Sequence, residues 1–247
     1  KPMEHQNLIV NFMLGCNTNY SGVFGDFGIG KTLSALILLD KLKVKRILVI
    51  STKLAVSTTW CEEIETHSNF SYALLTGNKK QRLSALSMGL YKIAQSNTPS
   101  AYSSSSDRKI VFLINFDGIQ SILDELLNVH FDIIIVDEST KIKSPNTERT
   151  KVICLLGKSA DFRIIMAGFP ITERLEDIYS QIRFLDGGKS LGKSYYSFMS
   201  TYFVKNSYGF KYTLKRGKAK EIVDKLSPFC IRITNNVLKL PEKVYKP

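Results

Sequence analysis

The segment Gly25-Asp-Phe-Gly-Ile-Gly-Lys-Thr32 has the residue types and spacing needed to hold a chain of phosphates. It fits the pattern G-x-x-x-x-G-K-[ST], with an apolar run before it and a helical pattern, residues 31–42, after it. Glycines let the backbone curl so that N–H groups point at a phosphate, a lysine neutralises the phosphate oxygens, and a threonine hydroxyl is a ligand for Mg²⁺. The spacing therefore predicts a site for ATP and Mg²⁺, and the residues expected to hold the nucleotide are Gly25, Gly28, Ile29, Gly30, Lys31 and Thr32.

A carboxylate pair, Asp137-Glu138, ends the most β-prone apolar run of the chain, residues 131–137. Ligands of open α/β sheets bind at the carboxyl edge, where such a pair would lie. We expect Asp137 to share the Mg²⁺ shell with Thr32, and Glu138 to orient or deprotonate an attacking water, with Lys31 completing the catalytic set. A solvated turn or helix cap is the alternative. The upstream phosphate loop favours catalysis, and the second acid favours hydrolysis over nucleotide binding alone.

Short apolar runs alternate with segments of helical periodicity, which predicts an α/β fold with a mostly parallel sheet between two layers of helices. Two of the runs are apolar without alternation, as expected for strands covered on both faces. The predicted strands are residues 21–24, 46–51, 72–75, 109–115, 131–137 and 163–167. The predicted helices are residues 31–42, 58–67, 79–87, 119–129, 147–156 and 173–184. The alternation fades beyond Gly188, so residues 189–240 are predicted to form a helical, basic appendage with no further strand of the sheet.

The composition is that of an ordinary folded domain, with 247 residues, 44% of them hydrophobic and 23% charged. The formal charge of +12 suits a polyanionic partner but does not name one. The cysteines are widely spaced and form no Cys-x-x-Cys pair, so we expect free thiols and no structural zinc. No apolar run approaches the length of a membrane span, and the first residues of the sequence lack the charged-then-apolar pattern of a signal peptide, so we expect a soluble, intracellular protein without a membrane partner.

The order of these segments resembles the superfamily-two helicases, and specifically the Swi/Snf-type DNA translocases in their bacteriophage-encoded variety. The similarity spans nearly the whole chain as one lobe, the first RecA-like, ATP-binding lobe with the phosphate-loop fold. Its segments are His5-Gln6 (the glutamine motif), Gly25–Thr32 (motif I), Ile47–Ser51 through Thr59-Trp60 (motif Ia), Ile114–Asp117 (the Thr-Tyr-Glu segment), Asp137–Thr140 (motif II), and Ala167–Ile171 through Leu175–Asp177 (motif III). Leu185–Ser194 and Tyr208–Tyr212 are similar to the phage branch in particular.

The resemblance implies roles for residues outside the phosphate loop. Gln6 would contact adenine, and Gly168, Phe169 and Pro170 would couple the nucleotide state to the grip on DNA. Hydroxyl, amide and lysine groups would hold one phosphate backbone of double-stranded DNA without sequence preference. Those predicted to do so are Ser51, Thr52, Lys53, Asn115, Lys141 and Lys143, with Asp117 beside them.

Two departures from the family pattern bear on function. Motif II ends in Ser139-Thr140 rather than Ala-His, and motif III contains Phe169 in place of a threonine and Ala167 in place of another, so coupling is the step these changes affect. The family continues into a second RecA-like lobe that carries an arginine finger. Since that arginine is worth about 10³ to 10⁵ in rate, we expect these 247 residues alone to bind ATP but hydrolyse it slowly.

The leading hypothesis is therefore the ATP-binding motor lobe of a DNA-dependent ATPase that translocates on double-stranded DNA. A strand-separating DNA or RNA helicase is one alternative. A nucleotide-dependent, DNA-binding adaptor without productive turnover is another, supported by the altered motif III. Trp60 invites a base-stacking role, but Val56, Trp60 and Ile64 share a helical apolar spacing that favours the core.

Overall fold

Within the part of the chain that the structure describes, a parallel sheet of seven strands forms the centre. The computed structural model describes residues 2–96, 109–171, 174–205 and 212–234. Along the chain, the sheet strands are β1 (Tyr20–Gly25), β2 (Arg46–Ser51), β3 (Ser71–Leu75), β4 (Ile110–Asn115), β5 (Ile133–Asp137), β6 (Phe162–Ala167) and, after the short antiparallel pair β7 (Phe203–Lys205) and β8 (Tyr212–Leu214), β9 (Cys230–Ile233).

The strand order across the sheet is β3-β4-β2-β5-β6-β1-β9. Because all seven strands run the same way, their last residues lie along one edge. In spatial order this carboxyl edge presents the ends of β4, β2, β5, β6 and β1, which are Asn115, Ser51, Asp137, Ala167 and Gly25. The candidate residues of five separate segments are thereby brought to one edge, as expected for an open α/β sheet.

Helices cover both faces of the sheet. The α-helices are α1 (Glu4–Gly15), α2 (Lys31–Lys41), α3 (Lys53–Ser57), α4 (Thr59–His67), α5 (Lys79–Ser96), α6 (Leu123–Leu127), α7 (Glu148–Gly157), α8 (Ile178–Asp186), α9 (Tyr195–Tyr202) and α10 (Lys218–Leu226). Shorter 3₁₀ turns occupy Phe116–Ile122, Ser139–Ile142 and Leu175–Asp177. None of the described helices is long and apolar enough to cross a membrane.

Two hydrophobic cores fill the space between the sheet and the two helix layers. In β2, Leu48 and Ile50 belong to one core and Ile47 and Val49 to the other, so successive side chains serve opposite faces. All four are fully buried. This explains why the strand is apolar without alternation, and the predicted three-layer α/β/α architecture is confirmed.

The six predicted strands are all present within two residues of their expected bounds. The prediction that no strand of the sheet follows residue 188 is wrong, because β9 (Cys230–Ile233) pairs in parallel with β1 at the edge of the sheet. This strand is short, and Arg232 in it is exposed, so it lacks the continuous apolar run that marks the central strands. The rest of residues 189–240 that the structure describes contains α9, α10 and the β7–β8 pair.

Candidate nucleotide site and its surroundings

The phosphate loop joins β1 to α2, as its sequence predicts. Gly28 and Gly30 adopt positive φ angles of 84° and 71°, in the left-handed region that favours glycine. Gly30 is the N-cap of α2, and no side chain caps this helix end within the described residues. The first N–H groups of α2 and the positive end of its dipole are therefore available to an anion at the carboxyl edge of the sheet.

The Lys31 ammonium lies inside the loop. Its Nζ donates hydrogen bonds to the backbone oxygens of Gly25 and Asp26, at 2.7 Å and 3.3 Å. Burial lowers the pKa of Lys31, while the negative charges of Asp137, Glu138 and Asp26 oppose that shift. The charges of the carboxylate pair thus act directly on the lysine of the phosphate loop.

Helix α1 is absent from the predicted elements, and it packs against the phosphate loop through His5 and Gln6. The Nε2 atom of His5 lies 3.0 Å from the backbone oxygen of Ile29. Gln6 is 4% exposed, and its Oε1 accepts a hydrogen bond from the N–H of Met3 at 2.9 Å. A Cβ placed on Gly30 would lie 2.2 Å from Gln6 Nε2, so the glutamine side chain packs directly on the loop. Contact between Gln6 and adenine stays a prediction.

Asp137 is held by donors from three directions at the end of β5. Its Oδ2 accepts hydrogen bonds from Ser51 Oγ at 3.0 Å and from Trp60 Nε1 at 3.1 Å. Its Oδ1 accepts from the N–H of Glu138 at 3.0 Å. Asp137 is 8% exposed, so its carboxylate has one fixed orientation. Fixed oxygens of this kind suit the coordination shell of a divalent cation.

Glu138 has φ 55° and ψ 49°, and among the described residues it is the only non-glycine with a positive φ. Such backbone strain in a residue other than glycine is typical of functional sites. Burial raises the pKa of Glu138, the negative charge of Asp137 raises it further, and Lys31 and Lys141 oppose the shift. A carboxylate with a raised pKa accepts a proton more readily, which is the property required of a general base.

A buried glutamine links the segment after Asp137 to the segment after β6. Gln181, in α8, is fully buried, and its Oε1 accepts a hydrogen bond from Ser139 Oγ at 2.7 Å. Its Nε2 donates to the backbone oxygen of Pro170 at 2.6 Å and to that of Asp177 at 2.9 Å. Gln181 is not among the site residues predicted from the sequence. Its one signal was a polar residue on the apolar stripe of α8, beside Ile178, Ile182 and Leu185.

Two exposed aromatic rings flank this region. Gly168 follows β6 and is buried, and a Cβ there would lie 3.6 Å from the ring of Phe27, which is 74% exposed. Phe169 is 48% exposed, and the guanidinium of Arg232 lies 5.3 Å from the centre of its ring. The segment Gly168–Pro170 therefore lies between the phosphate loop and Gln181, although its coupling role stays a prediction.

A groove of about 770 Å³ runs along the carboxyl edge, between the 3₁₀ turn Phe116–Ile122 and the segment that follows β5. Arg149 donates a hydrogen bond to Asp117 at 2.6 Å within it. The charged residues that line the groove are Asp117, Lys141, Lys143, Glu148 and Arg149. Basic side chains thus outnumber acidic ones along its walls.

Comparison with known proteins identifies the family. The family model described as the SNF2-related domain matches residues 5–246. The chain belongs to the SNF2-related domain family. It is 29% identical over 216 residues to protein p41 of Acyrthosiphon pisum secondary endosymbiont phage 1, covering 82% of this chain and 43% of that protein. It is 24% identical over 166 residues to mouse chromodomain-helicase-DNA-binding protein 6, covering 65% of this chain and 6% of that protein.

The same fold occurs in solved structures. The SWI2/SNF2 ATPase core of Sulfolobus solfataricus in complex with double-stranded DNA superposes with a TM-score of 0.69 and 23% identity, covering 95% of this chain and 45% of that chain. The core domain without DNA gives the same TM-score at 22% identity, covering 98% of this chain and 46% of that one. This likeness confirms the RecA-like fold. The SNF2-related domain described here spans less than half the length of these relatives.

Two of the side chains expected to contact DNA in this SNF2-related domain are buried and make hydrogen bonds within the protein. The side chain of Ser51 is fully buried and its hydroxyl donates to Asp137, so it does not face solvent, and contact between Ser51 and DNA stays a prediction. Asn115 is 8% exposed, and its Oδ1 accepts a hydrogen bond from Arg82 at 3.2 Å. Its side chain is therefore also poorly accessible, and contact between Asn115 and DNA stays a prediction. The side chain of Thr52 accepts from the N–H of Ala55 at 3.3 Å and caps α3.

The predicted lysines are more accessible. Lys53 and Lys141 are exposed, and Lys143 forms an ion pair with Asp177 at 3.6 Å. Contact between these lysines and DNA stays a prediction. Trp60 is fully buried together with Val56 and Ile64, which confirms the core placement that their helical spacing favours.

Proposed function

We propose that this chain is the ATP-binding motor lobe of a DNA-dependent ATPase that translocates on double-stranded DNA. The observation that carries the proposal is the convergence of Lys31, Asp137 and Glu138, whose charges act on one another at the carboxyl edge of the sheet. A glycine turn alone, or a carboxylate pair alone, would not require this arrangement. Together they form the residue set of a phosphate-loop hydrolase.

The residues present fit ATP and Mg²⁺. The uncapped first turn of α2, with left-handed glycines before it, suits phosphate oxygens. The Thr32 hydroxyl and the firmly oriented Asp137 carboxylate supply hard oxygen ligands for Mg²⁺, directly or through water. When bound, Mg²⁺ neutralises charge on the β- and γ-phosphate oxygens. The Lys31 ammonium would exchange the backbone oxygens of Gly25 and Asp26 for phosphate oxygens.

Glu138 is the proposed base. It would accept a proton from the attacking water while the oxygen of that water bonds to the γ-phosphorus and the bond from that phosphorus to the β–γ bridging oxygen breaks. The raised pKa of Glu138 favours proton acceptance. Asp137, fixed by its three donors, would keep its orientation through this step.

Double-stranded DNA is the proposed partner along the carboxyl edge. The groove beside the Phe116–Ile122 turn carries Lys141 and Lys143, and Lys53 is exposed on the neighbouring segment. Lysines hold phosphates without reading bases, so binding should be independent of sequence and weaken with salt. The similar Sulfolobus core was solved with double-stranded DNA, which supports this assignment.

A second RecA-like lobe is the other proposed partner. The chain covers 43% of the phage relative and 45% of the Sulfolobus core. A second lobe would supply the charge that stabilises the transferring phosphate. Turnover by these 247 residues alone should therefore be slower by about 10³ to 10⁵ than turnover by a protein that contains both lobes.

The test is phosphate release by a two-lobe protein carrying this chain, with and without duplex DNA, beside its Glu138→Gln variant. We expect duplex to stimulate release, and the variant to bind ATP in calorimetry but to lose release. If duplex stimulates nothing and the substitution changes nothing, the motor assignment fails. Binding of both ATP and DNA without release would favour the adaptor. Separation of a labelled forked duplex would favour the strand-separating helicase.

A further inference from the structure

One oxygen of Asp137 is held from both ends of a single surface segment. Ser51, the last residue of β2, donates its hydroxyl to Oδ2 at 3.0 Å, and Trp60, near the start of α4, donates its indole N–H to the same atom at 3.1 Å. Both residues are fully buried. The intervening residues 52–59 include the short helix α3 and form an arch whose two ends meet at one carboxylate oxygen.

The top of this arch is open to solvent. Leu54 is 74% exposed and Lys53 is exposed, whereas Val56 on the inner side is fully buried. Thr52 caps α3 through its side chain, so the first turn of the arch is ordered. Residues 52–59 are therefore accessible to solvent on one side, and the residues at their two ends, Ser51 and Trp60, bond Asp137 on the other.

We infer that Ser51 and Trp60 are positioning residues that couple the arch to the Mg²⁺ ligand Asp137, so that DNA held by the arch acts on Mg²⁺–nucleotide binding. The inference rests on the proposed function. Hydrogen bonds to a carboxylate are short and directional, so a displacement of the arch by about an ångström would break or realign them. Groups that orient a metal ligand are worth about 10- to 100-fold in metal affinity or activity when removed.

Packing alone does not explain the choice of residues. A phenylalanine at position 60 would fill most of the same apolar space, but it has no N–H for the buried Oδ2 atom. Likewise, an alanine at position 51 would preserve the strand and remove only the hydroxyl. Trp60→Phe and Ser51→Ala thus each delete one donor while leaving most of the surrounding packing intact.

Trp60 is also the single tryptophan of the chain, so its fluorescence reports directly on this contact. In the 247-residue protein, we expect MgADP to change the emission of Trp60 in both wild type and Ser51→Ala. Duplex DNA should change it as well. A dye-labelled duplex followed by anisotropy, and calorimetry of MgADP, measure the two binding events independently of the tryptophan.

The variants test the coupling in calorimetry. We expect Trp60→Phe and Ser51→Ala to weaken MgADP binding by about 10- to 100-fold. Binding of ADP in the presence of a chelator should change by less than twofold, since no metal ligand is then in use. Ile64→Val, on the same buried face of α4, removes a methylene but no donor and should leave MgADP binding unchanged. Thermal melts establish that each variant is folded, and Ser51→Ala keeps the test decisive if Trp60→Phe is unstable.

The outcomes separate the coupling from the proposed function. MgADP binding that leaves Trp60 emission unchanged, or donor variants that bind like Ile64→Val, would overturn the coupling while the nucleotide site stands. Duplex that binds by anisotropy but shifts neither the emission nor the MgADP affinity would overturn the DNA arm of the coupling. Failure to bind MgADP at all would sink the proposed function, and the inference with it.

Discussion

The strained backbone of Glu138 allows a sharp test of whether this residue is kept for function at the expense of stability. Its φ of 55° costs an L-residue about 1–2 kcal/mol, a cost that glycine does not incur. Glycine instead loses about 0.5–1 kcal/mol through the greater freedom of the unfolded chain. The Glu138→Gly variant should therefore be more stable than the Glu138→Gln variant, with a free energy of unfolding higher by roughly 0.5–1 kcal/mol. Both variants lose the charge, so the charge does not contribute to the difference between them.

The assay is calorimetric or denaturant unfolding of the two variants. For a domain of this size, the expected difference corresponds to a rise in melting temperature of about 1–4 °C. Lys141→Gly is the control, because Lys141 is exposed, lies in the next 3₁₀ turn and has no positive φ. It should lose about 0.5–1 kcal/mol. If Glu138→Gly is no more stable than Glu138→Gln, the strain argument is wrong.

The charge of Glu138 adds a pH dependence whose sign follows from its raised pKa. Burial, and then the charge of Asp137, make ionisation less favourable in the folded state than in the unfolded one. Stability is therefore lost as pH rises through the raised pKa of Glu138 and fully retained below its ordinary value, about 4.3. Glu138→Gln should be more stable than wild type at pH 7, and the difference should vanish near pH 4. An unchanged difference across this range would contradict the direction of the pKa shift.

Other perturbations test the loop, the buried link and the groove. Gly30→Ala must displace the amide of Gln6, whereas Gly28→Ala meets nothing within 4 Å, so the first should cost roughly 1–3 kcal/mol more in denaturant unfolding. Equal costs would mean that Gln6 does not pack on the loop as described. Gln181→Leu leaves the buried Ser139 hydroxyl without its partner and should lower the free energy of unfolding by about 1–3 kcal/mol, whereas a change under 0.5 kcal/mol would count against the link. In a two-lobe protein, replacing one groove lysine should reduce the salt slope of duplex binding by about one, and an unaltered slope would exclude that lysine from phosphate contact.

The sequence was sufficient for features that depend on local patterns. The phosphate loop and the strands around it are each encoded within a dozen residues, and they were predicted close to their observed bounds. Helix α1 was missed because its first turn contains buried polar residues, His5 and Gln6, in place of a clear apolar stripe. The short edge strand β9 was missed because only one of its residues, Ile233, is buried.

Contacts between residues far apart along the chain could not be predicted from the sequence. Trp60 was correctly assigned to the core from its spacing, but periodicity cannot show that its N–H meets Asp137, which lies 77 residues away along the chain. The same limit applies to Ser51, whose hydrogen bond to Asp137 was not predicted. Its position at the end of a strand is where a DNA contact would lie, yet the adjacent strand β5 supplies a carboxylate that its hydroxyl bonds instead.

The strand order also changes the meaning of the altered motif III. Because β6 lies between β1 and β5, the segment after it is placed between the phosphate loop and Asp137 whatever its side chains are. The bond from Gln181 to this segment uses the backbone oxygen of Pro170, which any residue could provide. Ala167 and Phe169 lack the hydroxyls of the family pattern, but the link from Ser139 through Gln181 does not use them. Motif II and motif III are therefore connected through Ser139, Gln181 and a backbone oxygen, without the hydroxyls of the family pattern. The residue changes in motif III are thus not sufficient evidence for an uncoupled adaptor.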